Sequence, residues 1–207
     1  MKQKLQNTDD SSIYLANITA GSLLIHESQK TASLLLSGLT EEQIKKKVID
    51  ENLFQYRSQG ATKMRLRLIL TRLLSMNQDI LPMISEGDYI LSTQSLLSCS
   101  VKHSRLLGDF MLRVIGTRIR IIDDRLSNRD WTKYLESCEL IDPHVKDLTD
   151  STRKKLKQII FRILVESKYL ESQKLPKLTP VRIEPELKSF LIKYKEKYVL
   201  SCLEVSK

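Results

Sequence analysis

The segment from Thr149 to Leu170 organises the rest of the chain. Its apolar residues recur with the period of an α-helix, about 3.6 residues, at Leu156, Ile159, Ile160, Ile163 and Leu164. Thr149, Asp150 and Ser151 precede them and can cap the helix, because their side-chain oxygens accept hydrogen bonds from unpaired backbone amides. The segment therefore predicts an amphipathic helix that packs its apolar stripe on a core.

The first half of this predicted helix is basic, with cations at Arg153, Lys154, Lys155 and Lys157. The recognition helices of helix-turn-helix proteins combine an apolar stripe with a face that points at DNA. A solvated surface helix has a similar composition, so the neighbouring elements must decide between the two interpretations.

Few helix breakers interrupt the remaining sequence, since the 207 residues include only six Gly and five Pro. Alternating runs of β-branched and aromatic residues are nearly absent. We therefore expect a mostly α fold: a helical bundle with helix-turn-helix or winged-helix-like N- and C-terminal parts. The hydrophobic content of 41% and charged content of 29% are ordinary for a soluble globular protein.

The formal net charge of +9 favours a polyanionic partner, nucleic acid before a membrane surface. Cys99, Cys138 and Cys202 form no C-x-x-C motif, which favours reduced thiols in a cytosolic protein. The polar start predicts no signal peptide, and no apolar run approaches the roughly 18–20 residues of a membrane span. We expect a cytoplasmic protein without a membrane partner.

Two predicted units precede the segment from Thr149 to Leu170. Residues 13–78 predict a helix-turn-helix-like unit of three helices, although a plain three-helix bundle fits equally well. Its third helix is basic, and we expect a phosphate-binding patch at Arg57, Lys63, Arg65 and Arg67. Residues 79–125 predict a central helical layer, because their apolar residues cover a wide arc.

Residues 126–200 predict a winged-helix-like unit packed against the others in one compact body. A helix at 128–138, a short segment at 142–148 and the helix from Thr149 follow the element order of winged helices. Proline-limited strands near 168–183 would form a short β-hairpin wing with a basic tip at Lys174 and Lys177. A closing helix is predicted from Glu184 to about Leu200.

The chain lacks the P-loop, dinucleotide-binding, zinc-protease and nucleophile-elbow motifs of common enzymes. His26, His103 and His144 are isolated, and Asp123 and Asp124 fit a solvated loop better than a Mg²⁺ site. We therefore expect a protein that is not an enzyme and has neither cofactor nor metal. Phe161 lies about 140° from Leu156 on the helix, which favours a contact with a neighbouring helix over an exposed base reader.

Three blocks of the sequence resemble the BrxA family of BREX (bacteriophage exclusion) defence systems: Tyr14 with Ile18–Leu24 and Glu27, then Glu51–Ser58, then Trp131 with the helix from Ser151. The resemblance covers roughly residues 13–195. It implies a helical, non-enzymatic protein with winged-helix-like parts that binds double-stranded DNA beside a methyltransferase, a large ATPase and other BREX components. These blocks consist of helix-packing patterns, so the resemblance assigns no catalytic residues to this chain.

The residues and the resemblance together predict an accessory protein that binds duplex DNA mainly through phosphates. Ten side chains would make the contacts: Arg57, Lys63, Arg65, Arg67, Arg153, Lys154, Lys157, Gln158, Lys174 and Lys177. A protein–protein adaptor of the defence complex and an RNA-binding bundle of antitermination type are the alternatives. The sequence indicates neither base specificity nor an oligomeric state, and it leaves open whether one DNA touches both basic patches.

Overall fold

The structure is a computed structural model, and it describes residues 12–174 and 176–206. It is mostly helical, as the sequence predicts. The α-helices are α1 (Ile25–Leu36), α2 (Glu41–Asp50), α3 (Gln59–Leu74), α4 (Leu81–Ser85), α5 (Tyr89–His103), α6 (Arg105–Phe110), α7 (Gly116–Arg120), α8 (Asn128–Ile141), α9 (Asp150–Glu166), α10 (Pro185–Lys193) and α11 (Lys197–Leu203). A π-helical turn at Met111–Ile115 joins α6 to α7, and a 3₁₀ turn at Pro143–Asp147 joins α8 to α9. The predicted polar start falls on residues 1–11, outside the described residues.

Side-chain caps begin several helices, among them α9, whose cap the sequence predicts. The Thr40 hydroxyl accepts from the Gln43 amide at 3.3 Å, and the Gln43 side chain accepts from the Thr40 amide at 2.8 Å. Ser127 and Asp130 form the same reciprocal pair at the start of α8, and Thr149 caps α9. These bonds fix the first turns of α8 and α9, the two helices that border the candidate site.

All three predicted units contribute side chains to one apolar core. α5 runs through it, and every residue from Ser92 to Val101 is buried. Gln94 of α5 also holds the chain before α10, because its Nε2 donates to the Arg182 carbonyl and its Oε1 accepts from the Glu184 amide, each at 2.9 Å. The divisions between the units stay a prediction. In the described part of the chain, no helix is both long and apolar enough to cross a bilayer.

The β-hairpin wing predicted near residues 168–183 is not supported by the structure. Among the described residues, β-pairing is limited to two isolated antiparallel bridges, Leu170 with Leu178 and Arg125 with Lys177. Neither bridge extends into a strand.

Two prolines account for this short pairing. Pro176 and Pro180 have no amide hydrogen to donate, so a ladder that ran through both would lose hydrogen bonds. The Glu171 amide donates to the Lys177 carbonyl at 2.9 Å, which closes a loop instead. We call the described part of it, residues 171–174 and 176, the loop after α9.

The closing helix predicted from Glu184 to about Leu200 is interrupted. Lys195 lies between α10 and α11 with a φ of 58°, a left-handed conformation through which an α-helix cannot continue. Tyr194 and Tyr198, which an uninterrupted helix would place on one face, therefore pack separately. The Tyr194 hydroxyl bonds a surface carboxylate, whereas the Tyr198 hydroxyl donates to a buried one.

A buried cluster ties α3 to the end of α9. Arg72 of α3 is 3% exposed, and its guanidinium donates to the carbonyls of Ser22 at 2.5 Å and Gly21 at 3.3 Å. Glu166 of α9 accepts from the Ser22 hydroxyl at 2.8 Å and the Leu23 amide at 2.9 Å. Burial lowers the pKa of Arg72 to about 10, so this side chain remains a cation at neutral pH.

Candidate nucleic-acid interface

α9 buries one face and exposes the other. The predicted apolar stripe is buried at all five positions, Leu156, Ile159, Ile160, Ile163 and Leu164. Lys154, Lys157 and Gln158 lie outside that stripe at positions i, i+3 and i+4; Lys154 and Gln158 are exposed, and Lys157 is half-buried. Phe161 follows them, but it is 5% exposed and packs on Phe110 with 5.9 Å between ring centroids. The predicted contact of Phe161 with a neighbouring helix is therefore confirmed.

A cleft of about 530 Å³ opens between α9, the start of α8 and the loop after α9. It contains four of the predicted contact residues: Lys154, Lys157, Gln158 and Lys174. The other lining residues are Leu126, Ser127, Asn128, Phe161, Gln173 and Pro176. We call this the α9 cleft. The described residues that line it bring cationic, neutral polar and apolar groups together without a carboxylate.

The three lysines that line the α9 cleft make different contacts. Lys157 donates to the Asn128 Oδ1, and its Nζ lies 5.2 Å from the centre of the Phe161 ring. Lys154 and Lys174 make no ion pair or hydrogen bond with the described residues. Because no described carboxylate neutralises them, the three ammonium groups give the cleft a positive potential that attracts anions.

The sequence does not place Asn128 or Gln173 in the α9 cleft. Asn128 begins the helix predicted at 128–138, and Gln173 falls within the predicted wing. The Gln173 Nε2 donates to the Gln158 carbonyl at 3.4 Å, which brings the loop after α9 against the helix. This proximity is tertiary, so neither periodicity nor composition of a single segment could have revealed it.

Arg153 lies outside the α9 cleft, although the sequence groups it with Lys154 and Lys157. Its Nη1 donates to Glu139 at 2.7 Å, its Nε to the Leu148 carbonyl at 3.0 Å, and its Nη2 to the Val145 carbonyl at 2.9 Å. The guanidinium thus joins the end of α8, the connecting turn and the start of α9.

Lys177 also lies outside the cleft. Its Nζ is 3.5 Å from the Asp124 carboxylate, and its backbone forms the bridge with Arg125. Lys174, at the other predicted wing position, is the member of this pair that reaches the cleft.

A second groove of about 490 Å³ lies between α2 and α3 and contains Lys63 and Arg67 of the predicted N-terminal patch. Lys45 and Glu41 share it, and their side chains pair at 3.7 Å. Leu66 and other apolar residues, Ile49 and Leu70, form its floor. Its lining is therefore more apolar than that of the α9 cleft, and it includes a carboxylate.

The other two residues of the N-terminal patch do not line this groove. Arg65 is partly buried, and its guanidinium carbon lies 4.1 Å from the centre of the Tyr56 ring. Arg57 is exposed in the link before α3. The structure therefore brings Lys63 and Arg67 together but separates Arg65 from them.

The acidic pair considered for Mg²⁺ is engaged with cations. Asp123 pairs with Arg118, and Asp124 pairs with Lys177. Among the described residues, no group of three or more His, Cys, Asp or Glu side chains is placed to hold a metal ion.

The three thiols are free and buried. Burial raises the pKa of Cys99 and of Cys202 to about 12 and also raises that of Cys138. Since the thiolate is the reactive form, these thiols are poor nucleophiles at neutral pH.

The sequence profile of the BrxA family matches residues 12–195. The chain belongs to the BrxA family. The BREX protein BrxA of Paramagnetospirillum magneticum is 38% identical over 193 residues, which cover 93% of this chain and 97% of that protein. The BREX proteins BrxA of Bacillus cereus and Escherichia coli O9:H4 are 31% and 24% identical, over 78% and 92% of this chain and 81% and 90% of their own lengths.

A crystal structure of an uncharacterized protein from Magnetospirillum magneticum has the same fold, with a TM-score of 0.87 at 37% identity. The similarity covers 94% of this chain and 100% of that one. The resemblance to the BrxA family of BREX phage-defence systems is therefore confirmed. The matched range contains the α9 cleft and the α2–α3 groove, so both surfaces belong to the BrxA part of the chain.

Proposed function

We propose that this BrxA family member is a non-enzymatic accessory protein that binds double-stranded DNA, mainly through phosphates. The observation that carries the proposal is the α9 cleft, where Lys154, Lys157 and Lys174 converge without a carboxylate among the described lining residues. Phosphates along duplex DNA carry one negative charge per roughly 1.7 Å of helix axis, so such a cleft gains from several contacts at once.

The backbone beside the cleft supports a winged-helix-like mode of docking. α8, the 3₁₀ turn and α9 follow one another as a helix–turn–helix. Three short segments meet next to them: the Leu126 amide donates to the Pro176 carbonyl at 2.9 Å, and the Thr179 amide donates to the Tyr169 carbonyl at 3.1 Å. In proteins of this type the second helix enters the major groove, which would direct the exposed face of α9 towards DNA.

Arg153 acts in this proposal as a positioning residue. Its bonds to Glu139 and to two carbonyls of the turn fix the angle between α8 and α9. Because the helix pair is already ordered, the lysines of the cleft can bind phosphates without an additional cost in conformational entropy.

Salt dependence tests the phosphate contacts directly. If the three lysines of the cleft each displace a counterion, the affinity should fall roughly fortyfold between about 50 and 200 mM salt. The measurement is a mobility-shift or anisotropy titration of a duplex of mixed sequence. Lys154→Ala and Lys174→Ala should each weaken binding similarly for all sequences and reduce the magnitude of the salt slope by about one.

Lys155→Ala is the matched control, because Lys155 is exposed on the same helix but does not line the cleft. It removes the same charge and should leave the salt slope unchanged. Equal losses for Lys154→Ala and Lys155→Ala would mean that total charge, and not the cleft, attracts the DNA.

The adaptor alternative has a specific observation in its favour. Ile122 is 94% exposed and has a φ of 59°, a costly conformation for a β-branched residue, and Leu140 is 87% exposed. Failure of micromolar protein to shift duplex DNA at low salt would favour the adaptor. Preference for structured RNA over duplex DNA in the same titration would favour the RNA-binding alternative.

A further inference from the structure

We propose that Gln158 reads adenine in the major groove, which makes the α9 cleft a base-reading site as well as a phosphate-binding one. The inference rests on the proposed function, because it requires α9 to lie in that groove. It goes further by assigning a base preference to one side chain.

The lining of the cleft matches adenine better than the other bases. Asparagine and glutamine amides pair with adenine because one amide both donates to N7 and accepts from the N6 amino group, whereas arginine commonly reads guanine and carboxylates read cytosine. The described lining contains three amides, Asn128, Gln158 and Gln173, and it contains neither an arginine nor a carboxylate. Lysine can also reach guanine, but its ammonium group lacks the flat donor–acceptor pair of an amide.

Gln158 is the amide of the three that remains available for pairing. The Asn128 Oδ1 already accepts from Lys157, and the Gln173 Nε2 already donates to the Gln158 carbonyl. The side chain of Gln158 is exposed, and neither of its amide atoms bonds to another described residue. It can therefore offer its donor and its acceptor to a base at the same time.

Lys154 supports the placement of Gln158 against the duplex. It lies one turn before Gln158 and is exposed on the same face of α9, so a cation that can hold a neighbouring phosphate stands next to the amide. Leu126 and Phe161 line the same cleft but are only 4% and 5% exposed, so the amide of Gln158 is left to make the base contact.

The test is selection from a randomised duplex library, carried out with the full chain at a salt concentration that suppresses weak binding. The wild type should enrich an A·T pair at one or more positions, and Gln158→Ala should lose the preference at one of them while it still retains duplex DNA. At that position, 7-deazaadenine removes one of the two bonds of the bidentate contact, so it should weaken binding of the wild type by roughly threefold to tenfold and should not affect Gln158→Ala.

Gln78→Ala is the matched control, since Gln78 is an exposed glutamine that lines neither the α9 cleft nor the α2–α3 groove, and its loss should leave the preference intact. Identical enrichment by the wild type and Gln158→Ala, or an enriched site without adenine, would overturn the base-reading inference while the phosphate-binding function stood. Failure of both proteins to retain any duplex would overturn the proposed function and the inference with it.

Discussion

At the scale of single residues, a buried carboxylate joins three distant parts of the chain. Asp109 is 2% exposed and accepts from the hydroxyls of Tyr14 and Tyr198, each at 2.8 Å. Arg105 approaches the same carboxylate at 3.0 Å and stacks over the ring of Tyr198 at 4.0 Å. The charge is thus compensated by hydrogen bonds and by a cation, as a buried ion requires.

Gly108 leaves the space that this cluster needs. A Cβ atom at Gly108 would lie 2.2 Å from the Tyr198 hydroxyl oxygen and 2.8 Å from its Cζ. We expect Gly108→Ala to displace the ring, break the bond to Asp109 and lower the free energy of unfolding by about 1–3 kcal/mol. Thermal or denaturant unfolding measures the effect. Gly60→Ala is the control: its nearest atom would be 3.6 Å away, so a comparable loss there would refute the steric explanation.

Asp142 should make stability depend on acid pH. Burial raises the pKa of this carboxyl, but hydrogen bonds from the Tyr14 amide, the Ser12 hydroxyl and His144 outweigh burial and lower the pKa to about 2. A depressed folded-state pKa contributes stability above the unfolded pKa of about 3.9, and that contribution is lost as the pH falls towards 2. The shift corresponds to about 2 kcal/mol.

Denaturant unfolding of wild type and Asp142→Asn between roughly pH 6 and pH 3 measures this contribution. The variant should be less stable near neutral pH, and the difference should shrink as the pH falls below about 4. Asp147→Asn, at an exposed carboxylate of the same 3₁₀ turn, controls for the change of charge. Parallel curves for wild type and Asp142→Asn would contradict the assignment.

At the scale of elements, local chemistry predicts helices well and their interruptions poorly. Thr149 caps α9 as predicted, and Thr40 and Ser127 cap α2 and α8, because a cap depends only on residues within one turn. The break at Lys195 has no local signal, since lysine is a good helix former and gives no warning of a left-handed φ.

Some residues of the candidate site can likewise be predicted from local sequence, and others only from tertiary packing. The shared face of Lys154, Lys157 and Gln158 follows from helical periodicity, which the sequence contains. Arg153 belongs to the same basic run, yet contacts with α8 and the turn take it out of the cleft. Asn128 enters the cleft only because α8 packs beside α9, and no pattern within either segment encodes that proximity.

We therefore expect Arg153 to stabilise the arrangement of α8 and α9 rather than to contact DNA. Arg153→Ala leaves Glu139 and two carbonyls of the turn without this partner and should destabilise the protein by about 1–3 kcal/mol in denaturant unfolding. Arg129→Ala, at an exposed arginine near the start of α8, should stay within about 0.5 kcal/mol of the wild type. Under conditions where Arg153→Ala is folded, its salt slope of DNA binding should equal that of the wild type. A slope reduced by about one would instead make Arg153 a phosphate contact.

At the scale of the whole molecule, the two basic surfaces are held in a fixed relation. The α2–α3 groove lies on α3, the helix of Arg72, and the α9 cleft lies on α9, the helix of Glu166. Arg72 and Glu166 both hydrogen-bond the segment around Ser22, and together they form a clamp on it. If both surfaces bound one DNA, the duplex would have to fit this rigid arrangement, because the clamp leaves the helices little freedom to adjust.

The two surfaces differ in chemistry, which favours different contributions to DNA binding. The α9 cleft has amides, three lysines and no carboxylate among its described lining residues, whereas the α2–α3 groove has an apolar floor and a lysine paired with Glu41. Apolar side chains on the floor of a groove contribute little to phosphate binding, because phosphates stay hydrated and bind hydrogen-bond donors. We therefore expect the α9 cleft to supply most of the affinity for DNA.

Two charge reversals of equal size separate the surfaces. Lys154→Glu with Lys157→Glu, and Lys63→Glu with Arg67→Glu, each exchange two cations for two carboxylates and lower the formal net charge from +9 to +5. Because the change in total charge is the same, a difference in DNA affinity reports where the duplex lies. The cleft pair should reduce the magnitude of the salt slope by about two and weaken binding at least tenfold, and the groove pair should leave the slope near that of the wild type. Unfolding curves must first establish that both variants fold. Equal changes in slope would mean that one duplex spans both surfaces, in which case the clamp around Ser22 would set the path of the DNA between them.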